Sequence, residues 1–562
     1  MNVRLSSYLR GRARGARDPR GRGAPRTLGG LWALLLCAAL APGAPAQPLS
    51  EGLSALDTSS FQRKADAIGV LEASGDPRAR PVLEALLDGA LFVRKADRRP
   101  VIVTGTGDAL VLRDAATGDD LGPGRKAELR KIAINNKLRV ALRGALARLS
   151  LQDPDPAARI ASVYALMKDL DATTVGLLRS ALDGEPDEAV RGALGTVLAL
   201  ADLSSPDAGV RLASVAAVRD NLRPEVRNRL AALLEKTPDG APLEPDPAVR
   251  MAALAAVSDI DDRRAVYRFV ETVFFGLSLG FVLVLAATGL AITFGVMGVI
   301  NMAHGELMML GAYTVYVMQQ AMPGQLGLAT VLSIPAAFVV AGAVGIAIER
   351  GVVRHLYGRP LETLLATFGI SLVLQQAVRT IFSPLNRAIE TPAWMSGQWV
   401  VNDALALTLN RLFIIFFSIA VFIALQAILR YSTLGLQVRA VAQNRSMARA
   451  MGVRAGWIDA ATFGLGSGVA GLAGVALSQL TNVGPNLGQG YIVDSFMVVV
   501  FGGVGNLWGT LVAGLSLGIA NKFLEPFAGA VLAKILVLAF IILFIQRWPR
   551  GLFPQRGRAT EG

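Results

Sequence analysis

The chain of 562 residues holds one cysteine and two histidines. That scarcity excludes a disulfide framework and leaves no material for a zinc centre built from several His or Cys ligands. Charge is also thin, at 18% Asp, Glu, Lys and Arg, against about 25% in an ordinary soluble domain. No Gly-x-x-x-x-Gly-Lys-Ser/Thr motif is present, so the chain does not carry its own phosphate-cradling ATPase loop. What it has instead is apolar surface: 52% hydrophobic residues and a mean hydropathy of +0.46. Such a composition is too apolar for a wholly soluble protein and far from disordered.

The formal charge of +13 is unevenly distributed. Residues 1–46 carry eight arginines and one acid, Asp18. Residues 47–265 are nearly balanced, with 30 basic and 32 acidic side chains, and residues 266–562 hold 18 basic and 10 acidic ones within mostly apolar sequence. No region is uniformly basic, so nucleic acid is not an expected partner.

An Arg/Gly-rich start, the apolar run Leu31–Ala41 and the small-x-small sequence Ala44-Pro45-Ala46 follow the order of a secretory signal peptide. The run is too short for a comfortable membrane span. The lone Cys37 falls inside it. A translocated domain is therefore expected from residue 47.

Residues 47–265 repeat a phrase. Asp155-Pro156-Ala157-Ala158-Arg159 is echoed by Asp187-Glu188-Ala189-Val190-Arg191, Asp207-Ala208-Gly209-Val210-Arg211 and Asp246-Pro247-Ala248-Val249-Arg250. Each opens an Ala/Leu/Val-rich stretch, and Asp with Pro suits a helix start. The phrase resembles HEAT-type helical repeats, which stack into a solenoid. Residues 101–121 differ: Val101-Ile102-Val103 and Leu110-Val111-Leu112 flank a Gly-containing turn and predict a small β-hairpin inserted among helices. No catalytic constellation stands out here, and an interaction role is expected.

From residue 266 the sequence changes character. Thr272–Ala303, Leu307–Ile348, Ala460–Val493 and Ser495–Asn521 contain no charged residue except His304 and Glu306 between the first two windows and Asp494 between the last two. About 20 apolar residues cross a bilayer. Spans are predicted near 273–295, 306–322, 327–348, 361–382, 405–429 and 457–480. A broken pair near 492–502 and 507–522 and a last span near 528–546 follow. This makes an all-α architecture of about eight spans with one broken helix, interrupted at Gly502-Gly503-Val504-Gly505. Twelve of the 18 basic residues fall in three segments, around Arg350–Arg359, Arg430–Arg454 and Arg547–Arg558. The positive-inside rule assigns these segments to the cytoplasm. Residues 47–265 then lie in the periplasm and the C-terminus in the cytoplasm. Arg379, Arg411 and Asp459 lie near predicted span ends and read as interfacial.

Two motifs carry a resemblance. Asn301-Met302-Ala303-His304-Gly305-Glu306 resembles the signature of the branched-chain amino-acid ABC importer permeases of the LivH type, and Arg430–Gly435 with Arg439–Gly452 resembles their ATPase coupling loop. The likeness runs over 266–555. A leader and a periplasmic repeat domain ahead of such a permease are similar to the arrangement in urea ABC importers. The resemblance implies an inner-membrane, multi-pass permease with no catalytic residue, metal or cofactor. Its implied partners are ABC ATPase subunits, a second permease subunit, a periplasmic solute-binding protein and membrane lipid. Its cargo is urea or another small neutral solute, with branched-chain amino acids as the alternative. It also implies coupling residues Arg439, Gln443, Arg445, Arg449 and Gly452. An amphipathic segment of about three turns over Val441–Gly452 fits docking into a soluble partner.

Asn301, His304, Glu306, Asp494, Gly502, Gly503 and Gly505 are candidates for the translocation path, since ionisable groups and helix breaks within membranes tend to mark pathways. For His304 and Glu306 the competing reading is an interfacial position paired to backbone or loop arginines. For Asp494 and the glycines it is helix packing. Two other function classes compete: a membrane-anchored periplasmic scaffold, which would need only one anchor helix, and an intramembrane enzyme, which lacks a nucleophile motif.

Overall fold

The computed structural model describes residues 47–105, 110–168 and 170–553. The expected leader at 1–46, the tip of the 101–121 hairpin and the last basic residues Arg556 and Arg558 lie outside the described residues. The chain divides into two compact units, one ending at Ala201 and one beginning at Asp202. Most of both is helical.

In the first unit, α1 (Gln47–Ala55), α2 (Phe61–Ala73) and α3 (Ala79–Leu87) share a core with α4 (Asn136–Ser150), built on Leu53, Ile68, Leu71, Leu83, Leu138 and Leu142. Ser60 and Asn135 cap α2 and α4 by accepting from backbone N–H groups of the first turn. Between α3 and α4 run β1 (Leu91–Arg94), β2 (Pro100–Thr104), β3 (Leu110–Asp114), β4 (Asp120–Gly124) and β5 (Leu129–Lys131). They form one antiparallel sheet in the order β4-β3-β2-β1-β5. The hairpin expected at 101–121 is the centre of this larger sheet, with Val101 opposite Asp114 and Val103 opposite Leu112. The flanking strands escape a sequence reading because β4 is Asp-Leu-Gly-Pro-Gly and β5 only three residues long, with no β-branched run to announce them. A second core, around Val163, Leu166, Leu178, Leu194 and Val197, joins α5 (Pro156–Leu166), α6 (Ala172–Gly184) and α7 (Glu188–Asp202).

The repeated phrase has one local geometry. Asp155, Asp187, Asp207 and Asp246 each accept from the backbone N–H two residues ahead, at 2.8–3.0 Å. The arginine four residues after each aspartate reaches back over the turn. Arg159, Arg191, Arg211 and Arg250 donate from Nη1 to the carbonyls five and six residues earlier, at 2.7–3.2 Å. In two cases the same arginine also holds the glutamate that opens the next phrase. Arg159 pairs with Glu185 and Arg211 with Glu244, each at 2.7 Å. The phrase is thus a helix-starting clamp.

The second unit opens with α8 (Ala208–Val218) and α9 (Pro224–Ala232) and then α10 (Pro247–Met297), a helix of 51 residues. At 1.5 Å per residue it is about 75 Å long. Its first turns carry Asp259, Asp261 and Arg263, paired with Arg219, Arg227 and Asp220 of the α8–α9 region. Residue 265, the boundary drawn from composition, lies inside this uninterrupted helix. From Gly276 onward α10 is largely buried, and it stops at Gly298 in the left-handed conformation.

The remaining helices are α11 (His304–Ala321), α12 (Leu326–Gly351), α13 (Pro360–Phe382) and α14 (Leu409–Tyr431). They continue with α15 (Thr433–Gln443), α16 (Arg445–Ala450), α17 (Ala455–Ser478), α18 (Leu487–Gly502) and α19 (Leu507–Arg547). Among the described residues six helices, namely α10, α12, α13, α14, α17 and α19, are long and apolar enough to cross a membrane. Between α13 and α14 lies the hairpin β6 (Gln398–Asn402) and β7 (Leu405–Thr408), so Leu405, expected to start a span, is in a strand. Within α19, Gly529 has non-helical angles three residues after Pro526, which divides the helix just past the gap that the sequence places between 522 and 528.

The centre of this unit is α17, the most completely buried of the six. Glycines make its contacts. A Cβ on Gly471 would lie 2.6 Å from the Ala337 carbonyl of α12, and one on Gly466 2.7 Å from the Gly289 carbonyl of α10. One on Gly311 of α11 would overlap the Gly471 backbone. Three helices therefore touch α17 backbone to backbone, the packing that small residues permit within a membrane.

Glu244 supplies a pH test for the clamps. The Arg211 guanidinium holds its carboxyl below the ordinary 4.5. A depressed carboxyl contributes stability above its unfolded-state value and loses it as the pH falls through the folded one. The protection of the backbone amides over residues 205–250, taken relative to the intrinsic exchange rate at each pH, is expected to be high at pH 7 and to fall as the pH is taken below about 4.5. Glu244→Gln should remove that dependence.

Candidate functional site

The 298–306 junction is held by three local contacts. Gly298 ends α10, Asn301 Oδ1 accepts from the Ala303 N–H at 3.0 Å, and Thr367 Oγ1 of α13 accepts from the Met302 N–H at 3.1 Å. His304 is fully buried and donates from Nε2 to the Ala286 carbonyl of α10 at 2.8 Å, which fixes its tautomer. Glu306, 1% exposed, points to α13: Oε1 accepts from Gln375 Nε2 at 2.6 Å and from Ser371 Oγ at 3.1 Å. His304 is thus paired to backbone, whereas the partners of Glu306 are neutral side chains rather than arginines. Asn301 Nδ2, His304 Nδ1 and Glu306 Oε2 are buried without a hydrogen-bond partner among the described residues.

The other path candidates form separate arrangements. Asp494 of α18 pairs with Lys534 of α19 at 2.9 Å, and the same ammonium lies 5.6 Å from the centre of the Tyr491 ring. Gly503 and Gly505 take positive φ in the turn between α18 and α19. Gly502 packs against the Gly509 backbone, and Gly505 against Gly295 of α10. Residues 551–553 close the turn, with Leu552 and Phe553 donating to the carbonyls of Phe501 and Gly502. These glycines are close-packing positions.

The segment after α14 is not one helix. Asn444 leaves helical geometry and its side chain accepts from the Met447 N–H, so α15 ends at Gln443 and a new short helix, α16, begins. The continuous turns expected over Val441–Gly452 are broken by this cap. Gly452, at φ +86°, ends α16. Val438, Val441 and Ala448 are buried beside Ala455 and Ile458 of α17, while Leu436, Met447, Met451 (78% exposed) and Trp457 face outward. Gln443 and Arg449 are exposed, and Arg439 donates to the Leu429 carbonyl at the end of α14.

Arg445 ties this segment to the interior. It pairs with Asp459 of α17, and its guanidinium lies 4.3 Å from the centre of the Tyr357 ring. Asp459, in the second turn of α17, is 2% exposed and is the buried partner of Arg445. Tyr357, in the loop after α12, donates to Glu349 Oε1 at 3.4 Å, and burial pushes its phenol well above the ordinary range. Arg350 lies 5.0 Å from the Trp457 ring centre. The loop after α12, α16 and α17 thus meet in one charged cluster.

A family described as "Branched-chain amino acid transport system / permease component" matches residues 272–545. The high-affinity branched-chain amino acid transport system permease protein LivH of Escherichia coli K12 is 31% identical over 295 residues, covering 50% of this chain and 95% of that protein. The chain belongs to the branched-chain amino-acid ABC permease family. BraD of Pseudomonas aeruginosa, of the same printed description, is 29% identical over 300 residues, 51% of this chain and 96% of its own. The ribose import permease protein RbsC of Escherichia coli K12 is 27% identical over 192 residues, 33% of this chain and 59% of RbsC. No solved structure matches the chain. These relatives are transport permeases, and the helices from α10 to α19 make this chain a multi-pass membrane protein of the same kind. Among the described residues no His, Cys, Asp and Glu group could hold a metal.

Sequence reasoning missed the partners of the ionisable groups. One signal was available: Thr363, Thr367, Ser371 and Gln375 recur every four residues, a polar stripe on an otherwise apolar α13. The pairings of Asp494 with Lys534 and of Asp459 with Arg445 bridge separate helices and leave no local pattern.

The Arg445–Asp459 pair is testable alone. Removing one partner of a buried pair costs about 3–5 kcal/mol, and the lower end applies here because a third of Arg445 remains exposed. Asp459→Asn in detergent is expected to make trypsin cut at Arg445 and Arg449 faster while cleavage within 47–201 keeps its rate. An unchanged cutting rate would show that the pair does not hold α16.

Proposed function

We infer that the chain is the permease subunit of an ATP-driven importer for a small neutral or zwitterionic solute, working with ABC ATPase subunits, a second permease and a periplasmic binding protein. The observation that carries this reading is the 432–457 segment. It offers an exposed set of Leu436, Met447, Met451 and Trp457, with Arg449 beside them, on a short capped helix anchored in the core by Arg445. An anchored, amphipathic protrusion suits a lever on which a soluble ATPase acts. Arg439, Gln443, Arg445, Arg449 and Gly452 serve as its coupling residues, and hydrolysis belongs to the other chains.

Urea is the first cargo. Its support is the additional N-terminal half, which lies outside the family match at 272–545, together with the few fixed charges along the helices. Branched-chain amino acids are the second reading, and the printed substrates of LivH and BraD favour them at least as strongly. The arginine-rich segments support a topology with residues 47–265 in the periplasm, after a signal peptide, and the C-terminus in the cytoplasm. Asn301, His304 and Glu306 then stand on the path, while Asp494 and Gly502–Gly505 frame it.

A strain lacking this chain is expected to lose uptake of labelled urea and to keep that of leucine. The reverse result assigns amino acids, and retention of both rejects the importer reading. Arg449→Ala together with Gly452→Val should lower uptake at least tenfold while ATP hydrolysis by the purified complex persists. Normal uptake would remove the coupling assignment.

A further inference from the structure

α13 is inverted relative to a helix of a soluble protein. Thr363, Thr367, Ser371 and Gln375 are buried, whereas Leu361, Leu365, Leu372 and Val373 between them are exposed. The first two polar groups are consumed locally. Thr363 donates to a carbonyl of its own helix turn, and Thr367 is engaged with its own helix and the 300–302 segment. The second two are different. Ser371 and Gln375 both donate to the same oxygen of Glu306, leaving Oε2 of that carboxylate unpartnered although the residue is 1% exposed.

Two more buried atoms in the same turn lack partners among the described residues: the donor Asn301 Nδ2 and the acceptor His304 Nδ1. Unmet polar groups are costly away from water, and a fold retains them where something else satisfies them. A structural tie between α11 and α13 would need one donor on Glu306. Two donors on one oxygen and none on the other is the pattern of a site with its acceptor side turned toward a second molecule.

We propose that Glu306, Ser371 and Gln375 form the recognition point for a solute carrying both an N–H donor and an oxygen acceptor. Solute N–H groups donate to Glu306 Oε2 and to the vacated Oε1, and the solute oxygen takes over the donors of Ser371 Oγ and Gln375 Nε2. Hydrogen bonds between α11 and α13 are exchanged for bonds to the solute, so occupancy loosens one helix from the other. The amide of urea and the ammonium and carboxylate of an amino acid share this chemistry, whereas a sugar has no N–H to offer. The proposal rests on the permease reading above, and adds Ser371 and Gln375 and a recognition role to the Glu306 that reading places on the path.

The test uses the full complex, this chain with its partner permease, ATPases and binding protein, in proteoliposomes. It reads solute carried per ATP hydrolysed at saturating binding protein, for urea and for leucine in separate arms. The wild-type ratio decides which arm applies, and transport of neither solute would overturn the permease reading and this proposal with it. In the active arm, Glu306→Gln and the double change Ser371→Ala with Gln375→Ala are expected to lower the ratio at least fivefold with hydrolysis maintained. Ser371→Thr, which keeps the hydroxyl, should retain it. If Glu306→Gln fails to assemble, the double variant decides. A double variant that carries solute within twofold of wild type, in a wild-type complex that transports normally, overturns the recognition point and leaves the permease reading standing.

Discussion

The membrane half of this protein depends on helix axes that approach more closely than side chains would allow. α17 meets α10, α11 and α12 at glycines, so that backbone rests on backbone. In water such a helix would be a poor choice, since glycine is costly in a helix interior. Among lipid tails no hydrophobic force drives helices together, and contact area and close approach must do so. The same device recurs where Gly276 and Gly280 of α10 meet α19, and where Gly305 meets Gly488 at the start of α11. These crossings fix the 298–306 junction in place.

On that frame the ionisable groups are disposed in pairs. Glu306 faces the amide and hydroxyl of α13, Asp459 faces Arg445, and Asp494 faces Lys534. Burying a charge in apolar surroundings is expensive unless a partner satisfies it. Two of these acids meet cations on other elements, and each such pair ties one helix to its neighbour in the chain. Glu306 meets two neutral donors. Asp459 and Asp494 thus hold the fold through cations, whereas the second oxygen of Glu306 is unmet among the described residues. The long helix α10 adds a mechanical feature: it carries the last Asp-Pro clamp at Asp246 and the buried core turns from Gly276 in one continuous rod.

Much of this was legible in the sequence, for definite reasons. Uncharged windows of 20 residues or more can only satisfy their backbone as helices, so the apolar helices of the second half could be placed closely from composition. The Asp and Arg spacing announced the helix starts at Asp155, Asp187, Asp207 and Asp246, because capping is local. The junction at Asn301–Glu306 stood out as polar sequence between apolar windows. What could not be read depended on distance or on weak local signals. Asn444 as a cap between α15 and α16 is one polar residue among several. The outer strands β4 and β5 are held by their neighbours rather than by their own propensity. Lys534 and Asp494 are 40 residues apart with no shared pattern.

If glycine contacts of α17 hold the helices that carry the site, Gly471→Leu must differ from Gly456→Leu, a change on the same helix where a Cβ would meet nothing within 4 Å. The measurement is the yield of monodisperse protein in mild detergent, followed by uptake in the reconstituted complex. Gly471→Leu is predicted to abolish both and Gly456→Leu to leave assembly intact. A Gly471→Leu protein that purifies and transports like the wild type would contradict the account.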